Sequence, residues 1–135
     1  MEENYDFPSL NWMENYCEKL SGSSEYNSAA INWEGDFVFV VKEENSRLFY
    51  YMDLWHGKCK RAAQLADENE AKAEFILTAD YDTWKKLCQG ESDITKALVY
   101  GKIKVKGSLP KLLKNMKGGK VMISVMRDVP TKFPR

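Results

Sequence analysis

The stretch Gly101–Met126, GKIKVKGSLPKLLKNMKGGKVMISVM, carries two apolar patterns with different periods. Residues 102–106 alternate lysine with an aliphatic side chain, which is the period-two pattern of a half-buried strand. Ser108 is a suitable N-cap for a helix, and Pro110 fits the first turn because no amide proton is needed there. The apolar positions after this cap form one helical stripe, at Leu109, Leu112, Leu113 and Met116. The stretch therefore predicts a strand followed by an amphipathic helix, against which the rest of the chain packs.

Positive charge is concentrated around this stretch. Between Ile94 and Arg127 the sequence has nine basic residues and no acidic one. The whole chain balances 20 basic against 20 acidic side chains, with a net charge of −6 over residues 1–67 and +6 over residues 68–135. Nucleic acid binding would require exposed aromatic side chains among the lysines, and only Tyr100 lies in this run, so we expect no nucleic acid partner. An anionic membrane surface, a ligand with an acidic head group and a solvated lysine face all remain open.

The length of 135 residues fits a single domain over residues 1–135, because ~100–200 residues per domain is usual. Residues 1–6 and 129–135 are expected to be loosely ordered tails. The three cysteines contain no C-x-x-C pair, and free thiols in a reducing cytosol are the simplest interpretation of Cys17, Cys59 and Cys88. No secretory signal pattern and no apolar segment of ~20 residues are present, so we expect a cytoplasmic protein.

The first half of the chain predicts one helix followed by a meander of strands. Residues 10–20 are apolar at helical spacing, and residues 21–28 are rich in Gly, Ser and Asn and are expected to form a loop. Strands rich in β-branched and aromatic residues are predicted at 30–41, 47–54 and 73–78. A weak strand is predicted at 59–65, although its alanines would also suit a helix. The short turn between the first two of these strands predicts an antiparallel hairpin.

Short helices follow the meander. Asp80 or Asp82 is expected to cap the first and Ser92 the second. Residues 120–126 are apolar on both faces, so periodicity alone does not decide between strand and helix. This order of elements favours an α+β fold in which helices cover one face of a sheet, and the other face needs polar residues, a partner or the N-terminal helix.

One pair of residues has the spacing of a nucleophile site. His56 and Cys59 form H-x-x-C, and a thiolate beside an imidazole would be reactive. A turn histidine beside a strand cysteine explains the same spacing, and no third residue to orient the imidazole is evident. A thiol-dependent enzyme is therefore the least favoured hypothesis, and the sequence has no pattern for a metal or cofactor.

The second half of the chain resembles the sterol carrier protein family, the non-specific lipid-transfer fold. The resemblance is carried by six segments in order along the chain. They are the strand Ala73–Thr78, the segment DYDTW at 80–84, the helical segment Gly90–Tyr100, GKIKVKG at 101–107, the helix at 108–116 and VMRDVPTKF at 125–133. The resemblance implies a stand-alone, prokaryotic-type domain with a five-stranded mixed, mostly antiparallel sheet in the order 3-2-1-4-5. Helices on one face of that sheet would enclose an apolar pocket or tunnel beneath the C-terminal helices.

The family implies binding and transfer of sterols, fatty acids, acyl-CoA or phospholipids without catalysis, metal or cofactor. Residues 118–127 would be helical and close the pocket, with a hinge where Gly118 and Gly119 interrupt the helix. The residues expected to line the pocket are Trp84, Leu87, Leu98, Leu109, Leu112, Leu113, Met116, Met122 and Met126. Sheet residues expected to be shared between core and pocket are Phe75, Leu77, Ile103 and Val105. The lysines expected to contact an anionic membrane are Lys102, Lys104, Lys106, Lys111, Lys114, Lys117 and Lys120.

Two other interpretations of the apolar residues that are expected to line the pocket remain open. The same side chains suit an ordinary core. They also suit a structural module in which the apolar face pairs with a second copy, giving a homodimer, or with another protein.

Overall fold

The computed structural model describes residues 4–134 as an α+β fold. The strands are β1 (Tyr5–Asp6), β2 (Glu34–Lys42), β3 (Arg47–Trp55), β4 (Lys58–Leu65), β5 (Phe75–Asp80), β6 (Lys104–Lys106) and β7 (Thr131–Lys132). The helices are α1 (Leu10–Gly22), α2 (Ser24–Ala29), α3 (Tyr81–Cys88), α4 (Ile94–Val99), α5 (Leu109–Lys114) and α6 (Met116–Met126). No helix in this part of the chain is long and apolar enough to cross a membrane.

Five of the strands form one mixed sheet in the order β4-β3-β2-β5-β6. Strands β2 and β3 pair antiparallel along their whole length, from Glu34 opposite Trp55 to Lys42 opposite Arg47. The pairs β3–β4 and β5–β6 are also antiparallel, whereas β2 and β5 run parallel. Numbered 1 to 5 in chain order, these strands lie in the order 3-2-1-4-5, so the sheet implied by the resemblance is confirmed. The meander expected from the first half of the chain is wrong at its last strand, because β5 pairs in parallel with β2 and does not lie beside β4.

Helices cover the inner face of this sheet. Alternate residues of β2 such as Phe37 and Phe39 point to this face and belong to one buried cluster with side chains from all six helices. Trp12 of α1 and Leu87 of α3 are fully buried in the same cluster. The predicted placement of helices over one face is therefore confirmed, and the N-terminal helix lies on this same side.

The outer face of the sheet carries a smaller apolar cluster. Its buried members are Val38, Val40, Tyr51 and Ile76. Ala71 and Ala73, in the connection between β4 and β5, pack against them together with side chains of β3 and β4. The connection between β4 and β5 therefore covers part of the outer face, for which the sequence did not decide the covering element.

Two local boundaries differ from the sequence prediction. Residues 21–28 were expected to form a loop, but they contain α2, because the Ser23 hydroxyl accepts a hydrogen bond from the Tyr26 amide and caps a new helix. Asp93 rather than Ser92 caps α4, through the Lys96 amide. In both cases the side-chain oxygen that reaches an amide three residues ahead determines where the helix begins.

The predicted interruption at Gly118 and Gly119 is wrong in position. The two glycines lie inside α6, and the break between the C-terminal helices falls at Asn115. A β-carbon added at Gly118 would lie 3.4 Å from the side chain of Ala30, the residue after α2, so α6 packs against the end of α2 at this glycine. The prediction that residues 118–127 are helical is confirmed up to Met126.

The expectation of free thiols is wrong for two of the three cysteines. Cys17 of α1 and Cys59 of β4 form a disulfide across 42 residues of sequence. This bond forms because α1 packs across the edge strand β4, a contact that spacing in the sequence does not reveal. Cys88 is free and buried.

The two chain ends meet in a short parallel sheet. Tyr5 pairs with Thr131 and Asp6 with Lys132. The Trp12 indole nitrogen donates a hydrogen bond to the Thr131 hydroxyl at 2.9 Å. The loosely ordered tails predicted at 1–6 and 129–135 are therefore paired over these residues, while residues 1–3 and 135 lie outside the described part.

Candidate functional site

A narrow apolar cavity lies between the inner face of the sheet and the C-terminal helices. Its volume is about 60 Å³. The side chains and backbone that line it come from the sheet, from α1 and from α3 to α6, namely Tyr16, Phe37, Phe39, Leu77, Trp84, Ile94, Leu98, Leu112, Met116, Gly119, Met122, Ile123 and Met126. We call this space the central cavity.

Two smaller spaces share walls with the central cavity. A space of about 50 Å³ shares Phe37, Leu112 and Met116 with it and continues past Trp33 to the exposed Asn115, so we call this end the mouth. A space of about 10 Å³ on the other side shares walls with the central cavity and ends at the α1 side chains, being lined by Phe7, Trp12, Met13, Tyr16, Phe39, Val41, Trp84 and Met126. The three spaces form one row beneath the helices.

Six of the nine residues predicted to line a pocket surround the central cavity. These are Trp84, Leu98, Leu112, Met116, Met122 and Met126. Leu87 is instead fully buried in the core, and Leu109 and Leu113 pack against the core without facing the row. Of the shared sheet residues, Leu77 lines the cavity, whereas Phe75, Ile103 and Val105 do not.

The sequence prediction missed the aromatic side of the cavity. Phe37 and Phe39 stack with their ring centroids 5.5 Å apart on the inner face of β2. Their period-two spacing marks them as same-face residues and could have identified them. Tyr16 belongs to the apolar stripe of α1, but only the packing of α1 over the sheet brings it to the cavity.

Two aromatic residues that line the cavity, Trp84 and Tyr16, have a polar atom, and each of these atoms forms a hydrogen bond with a backbone carbonyl. The Trp84 indole nitrogen donates to the Val40 carbonyl at 2.9 Å, and the Tyr16 hydroxyl donates to the Met122 carbonyl at 2.7 Å. Burial raises the pKa of Tyr16 well above its ordinary value, so the phenol stays neutral. The wall of the central cavity is therefore apolar, made of rings, aliphatic groups and thioethers.

Charged groups lie outside this row. At the mouth, the Lys111 ammonium forms an ion pair with Glu74 at 2.7 Å and lies 4.9 Å from the centre of the Trp33 ring. Lys106 forms an ion pair with Glu68 at 2.7 Å. The remaining lysines of the predicted set are exposed and form no ion pair with any residue of 4–134, namely Lys102, Lys104, Lys114, Lys117 and Lys120.

The proposed thiol nucleophile does not form. The sulfur of Cys59 is bonded to Cys17, and the His56 imidazole lies 2.6 Å from the Glu34 carboxylate instead. Cys88 is buried, and desolvation raises the pKa of its thiol to about 12. Among residues 4–134, no group of three or more His, Cys, Asp or Glu side chains is placed to hold a metal ion.

The site is therefore an apolar row of small cavities under a helix layer, with charged groups outside it. The chain belongs to the SCP-2 sterol transfer family, whose family model matches residues 14–118. The family supports lipid binding and transfer in general, and its fold is that of a lipid carrier.

Solved structures agree with this assignment. A crystal structure of sterol carrier protein 2 is 31% identical, covering 90% of this chain and 97% of its own, with a TM-score of 0.82. The solution structure of a conserved hypothetical protein from Thermus thermophilus, described as a possible sterol carrier protein, is 30% identical and has a TM-score of 0.83. It covers 94% of this chain and 91% of its own.

More distant structures share the fold alone. The solution structure of palmitated SCP2L2 from Aedes aegypti is 15% identical, with a TM-score of 0.60 and coverage of 90% of this chain and 96% of its own. The comparison with curated proteins gave no match.

Proposed function

We propose that this protein is a non-catalytic carrier that binds one apolar or amphipathic lipid in the row of cavities. The observation that carries the proposal is the apolar wall of the central cavity, in which the polar atoms of Trp84 and Tyr16 are already bonded to backbone. A hydrocarbon chain placed there loses no hydrogen bond, and each buried methylene contributes roughly 0.8 kcal/mol. Sterols, fatty acids, acyl-CoA and phospholipids all contain such a part.

Uptake of a lipid requires the helices to move. The central cavity of about 60 Å³ is much smaller than the ~300–1,000 Å³ that is usual for a ligand pocket. Helices α5 and α6 form the wall opposite the sheet and are separated at Asn115. Displacement of these two helices about Asn115, rather than bending at Gly118 and Gly119, would enlarge the cavity.

The polar end of an amphipathic ligand would lie at the mouth. Asn115 lines the mouth, and the exposed Lys114 and Lys117 are next to the mouth residues Asn115 and Met116 in sequence. Lys111 is held by Glu74 and is less suited to a second anion. Lys114 and Lys117 would therefore meet a carboxylate, a phosphate or an anionic membrane during transfer.

The cavity can be filled from within to test this proposal. Gly119 lines both the central cavity and the mouth, and a β-carbon there meets only the flexible end of Met116. Gly119→Leu should abolish binding of a fluorescent long-chain fatty acid, and lipids extracted from the natively purified wild type should be absent from this variant. Ser124→Leu adds the same side chain at an exposed position of α6 and should bind as the wild type does. Equal binding by both variants, or no binding by the wild type to sterols, fatty acids or phospholipids, would contradict the proposal.

Membrane contact has a separate test. Lys114→Glu with Lys117→Glu should weaken sedimentation with vesicles that contain phosphatidylserine, because each lysine near an anionic surface contributes ~1 kcal/mol. Lys19→Glu with Lys60→Glu changes the net charge equally at positions away from the mouth and serves as the control. Equal loss in both double variants would show a net-charge effect without a docking surface. A cytoplasmic location stays a prediction.

A further inference from the structure

The disulfide between Cys17 and Cys59 joins the N-terminal helix to an edge of the sheet. Cys17 lies in α1, and Cys59 lies in β4, which is the outermost strand on its side. Two hydrogen bonds lie beside it, since the Ser21 hydroxyl donates to the Cys59 carbonyl and accepts from the Cys59 amide, each at 2.9 Å. The covalent bond and these hydrogen bonds hold the C-terminal half of α1 on β4 as one clamp.

The helix that is held in this way is also a wall of the cavity row. Tyr16, the neighbour of Cys17 in sequence, lines the central cavity and the space at its α1 end. Its hydroxyl donates to the Met122 carbonyl of α6 at 2.7 Å. The position of α1 therefore fixes one wall directly and restrains α6, the helix that must move when the cavity enlarges.

The disulfide lies beside an open hollow on the surface. An open hollow on the surface is lined by Glu14, Cys17, Glu18, Ser21, Cys59, Lys60, Arg61 and Ala62. Cys17 and Cys59 are each 9% exposed, whereas Cys88 is 5% exposed and packs against Met126 with 3.9 Å between the two sulfurs. Because both cysteines border this hollow, we expect a reductant to reach the disulfide without opening of the cavity.

We propose that the Cys17–Cys59 disulfide is a redox-controlled clamp that keeps the cavity closed when oxidised and permits lipid exchange when reduced. The proposal rests on the proposed function, because it assigns regulation to the same cavity. The closed volume of about 60 Å³ belongs to the disulfide-bonded form. Release of α1 from β4 would free Tyr16 and α6 to move apart.

The chemistry is thiol–disulfide exchange with a dithiol reductant. One thiolate of the reductant attacks a cysteine sulfur, forms a mixed disulfide and displaces the other cysteine as a thiolate. The second thiol of the reductant then breaks the mixed disulfide and leaves as part of an oxidised, cyclic disulfide. Two electrons pass to the protein, and two protons convert Cys17 and Cys59 to thiols.

The experiment compares lipid exchange in the two redox states of the full chain. Dissociation of pyrenedodecanoic acid into excess phosphatidylcholine vesicles is followed for oxidised wild type and for wild type treated with dithiothreitol. We expect dissociation to be about tenfold faster after reduction, because a disulfide constraint of ordinary strength exceeds the free energy of a tenfold change. Cys17→Ala with Cys59→Ala should exchange at the fast rate with or without reductant, and Cys88→Ala should behave as the wild type. Equal rates for oxidised and reduced wild type would overturn the clamp.

Amide hydrogen exchange gives a second readout that needs no lipid and no variant. Reduction of the folded wild type should speed exchange over residues 12–20 and at the helix around Met122. Unchanged exchange there would overturn the clamp even if lipid binds. Faster exchange there, without lipid binding in either redox state, would overturn the proposed function while showing that the disulfide holds α1.

Discussion

Measurable binding should require a minimum ligand chain length, which follows from the volume of the closed cavity. Growth from about 60 Å³ to ~300 Å³, the lower end of usual ligand pockets, adds ~240 Å³. At ~24 cal/mol per Å³ of apolar cavity, that enlargement costs about 6 kcal/mol. Burial of a methylene contributes ~0.8 kcal/mol, so about seven methylenes offset the opening.

The assay is calorimetric titration with saturated fatty acids from about six to about sixteen carbons, for which each further methylene contributes ~0.8 kcal/mol. We expect no measurable binding of the shortest acids, and beyond about eight carbons a gain of roughly fourfold in affinity per methylene until the row is filled. Ser124→Leu should reproduce this slope, whereas Gly119→Leu should bind none of the series. Equal affinity for about eight and about sixteen carbons would refute the reasoning, because it would show that burial of the chain does not drive binding.

Three further predictions concern stability. Cys17→Ala with Cys59→Ala removes the disulfide and opens a loop with a sequence separation of 42 residues. We expect the free energy of unfolding to fall by about 4 kcal/mol and the Tm, measured by calorimetry, to fall by ~14 °C. A shift no larger than that of Cys88→Ala would contradict this prediction. Trp84→Phe leaves the buried Val40 carbonyl without its indole donor and should cost ~1–3 kcal/mol in urea unfolding; an unchanged midpoint would show that this hydrogen bond adds no stability. Asp80→Ala removes the cap of α3 and should cost ~1 kcal/mol at neutral pH. Hydrogen bonds to the Thr83 backbone and side chain lower the pKa of Asp80 below its ordinary value of 3.8. The stability that the carboxylate contributes is therefore present above pH 3.8 and is lost as the pH falls through the lowered pKa. A stability difference between variant and wild type that persists in stronger acid would contradict this assignment.

The sheet could be predicted because its information is local and periodic. The strands β2, β3 and β5 are rich in β-branched or aromatic residues, whereas β4 has none and was expected only as a weak strand. The short connection between β2 and β3 leaves antiparallel pairing as the natural solution. The helix that begins at Leu109 was equally accessible, because Ser108 caps it by accepting from the Lys111 amide. The strand order and the pocket depended on the family resemblance, since strand order joins elements that are far apart in sequence.

Three of the missed features depend on packing between distant segments. Cys17 and Cys59 are paired only because α1 crosses β4, and no spacing rule gives that contact. The role of Gly118 was misjudged for the same reason, since its neighbour is Ala30 of the preceding half of the chain. The pairing of Lys111 with Glu74 follows from the approach of α5 to the start of β5, so the sequence could not separate this lysine from the exposed ones.

The three methionines that line the central cavity bear on whether these apolar residues form an ordinary core or a pocket. Met116, Met122 and Met126 all line the central cavity, and a thioether side chain with three rotatable bonds can fill an irregular gap or withdraw from it. The opposite wall contains the rings of Phe37 and Phe39, which are fixed by stacking on the sheet. Under the proposed function, one adaptable wall facing one rigid wall would let the row open when a ligand chain replaces the methionine contacts. A core built only for stability would gain from rigid, branched side chains at these positions, so the three methionines on α6 favour a pocket under the proposed function.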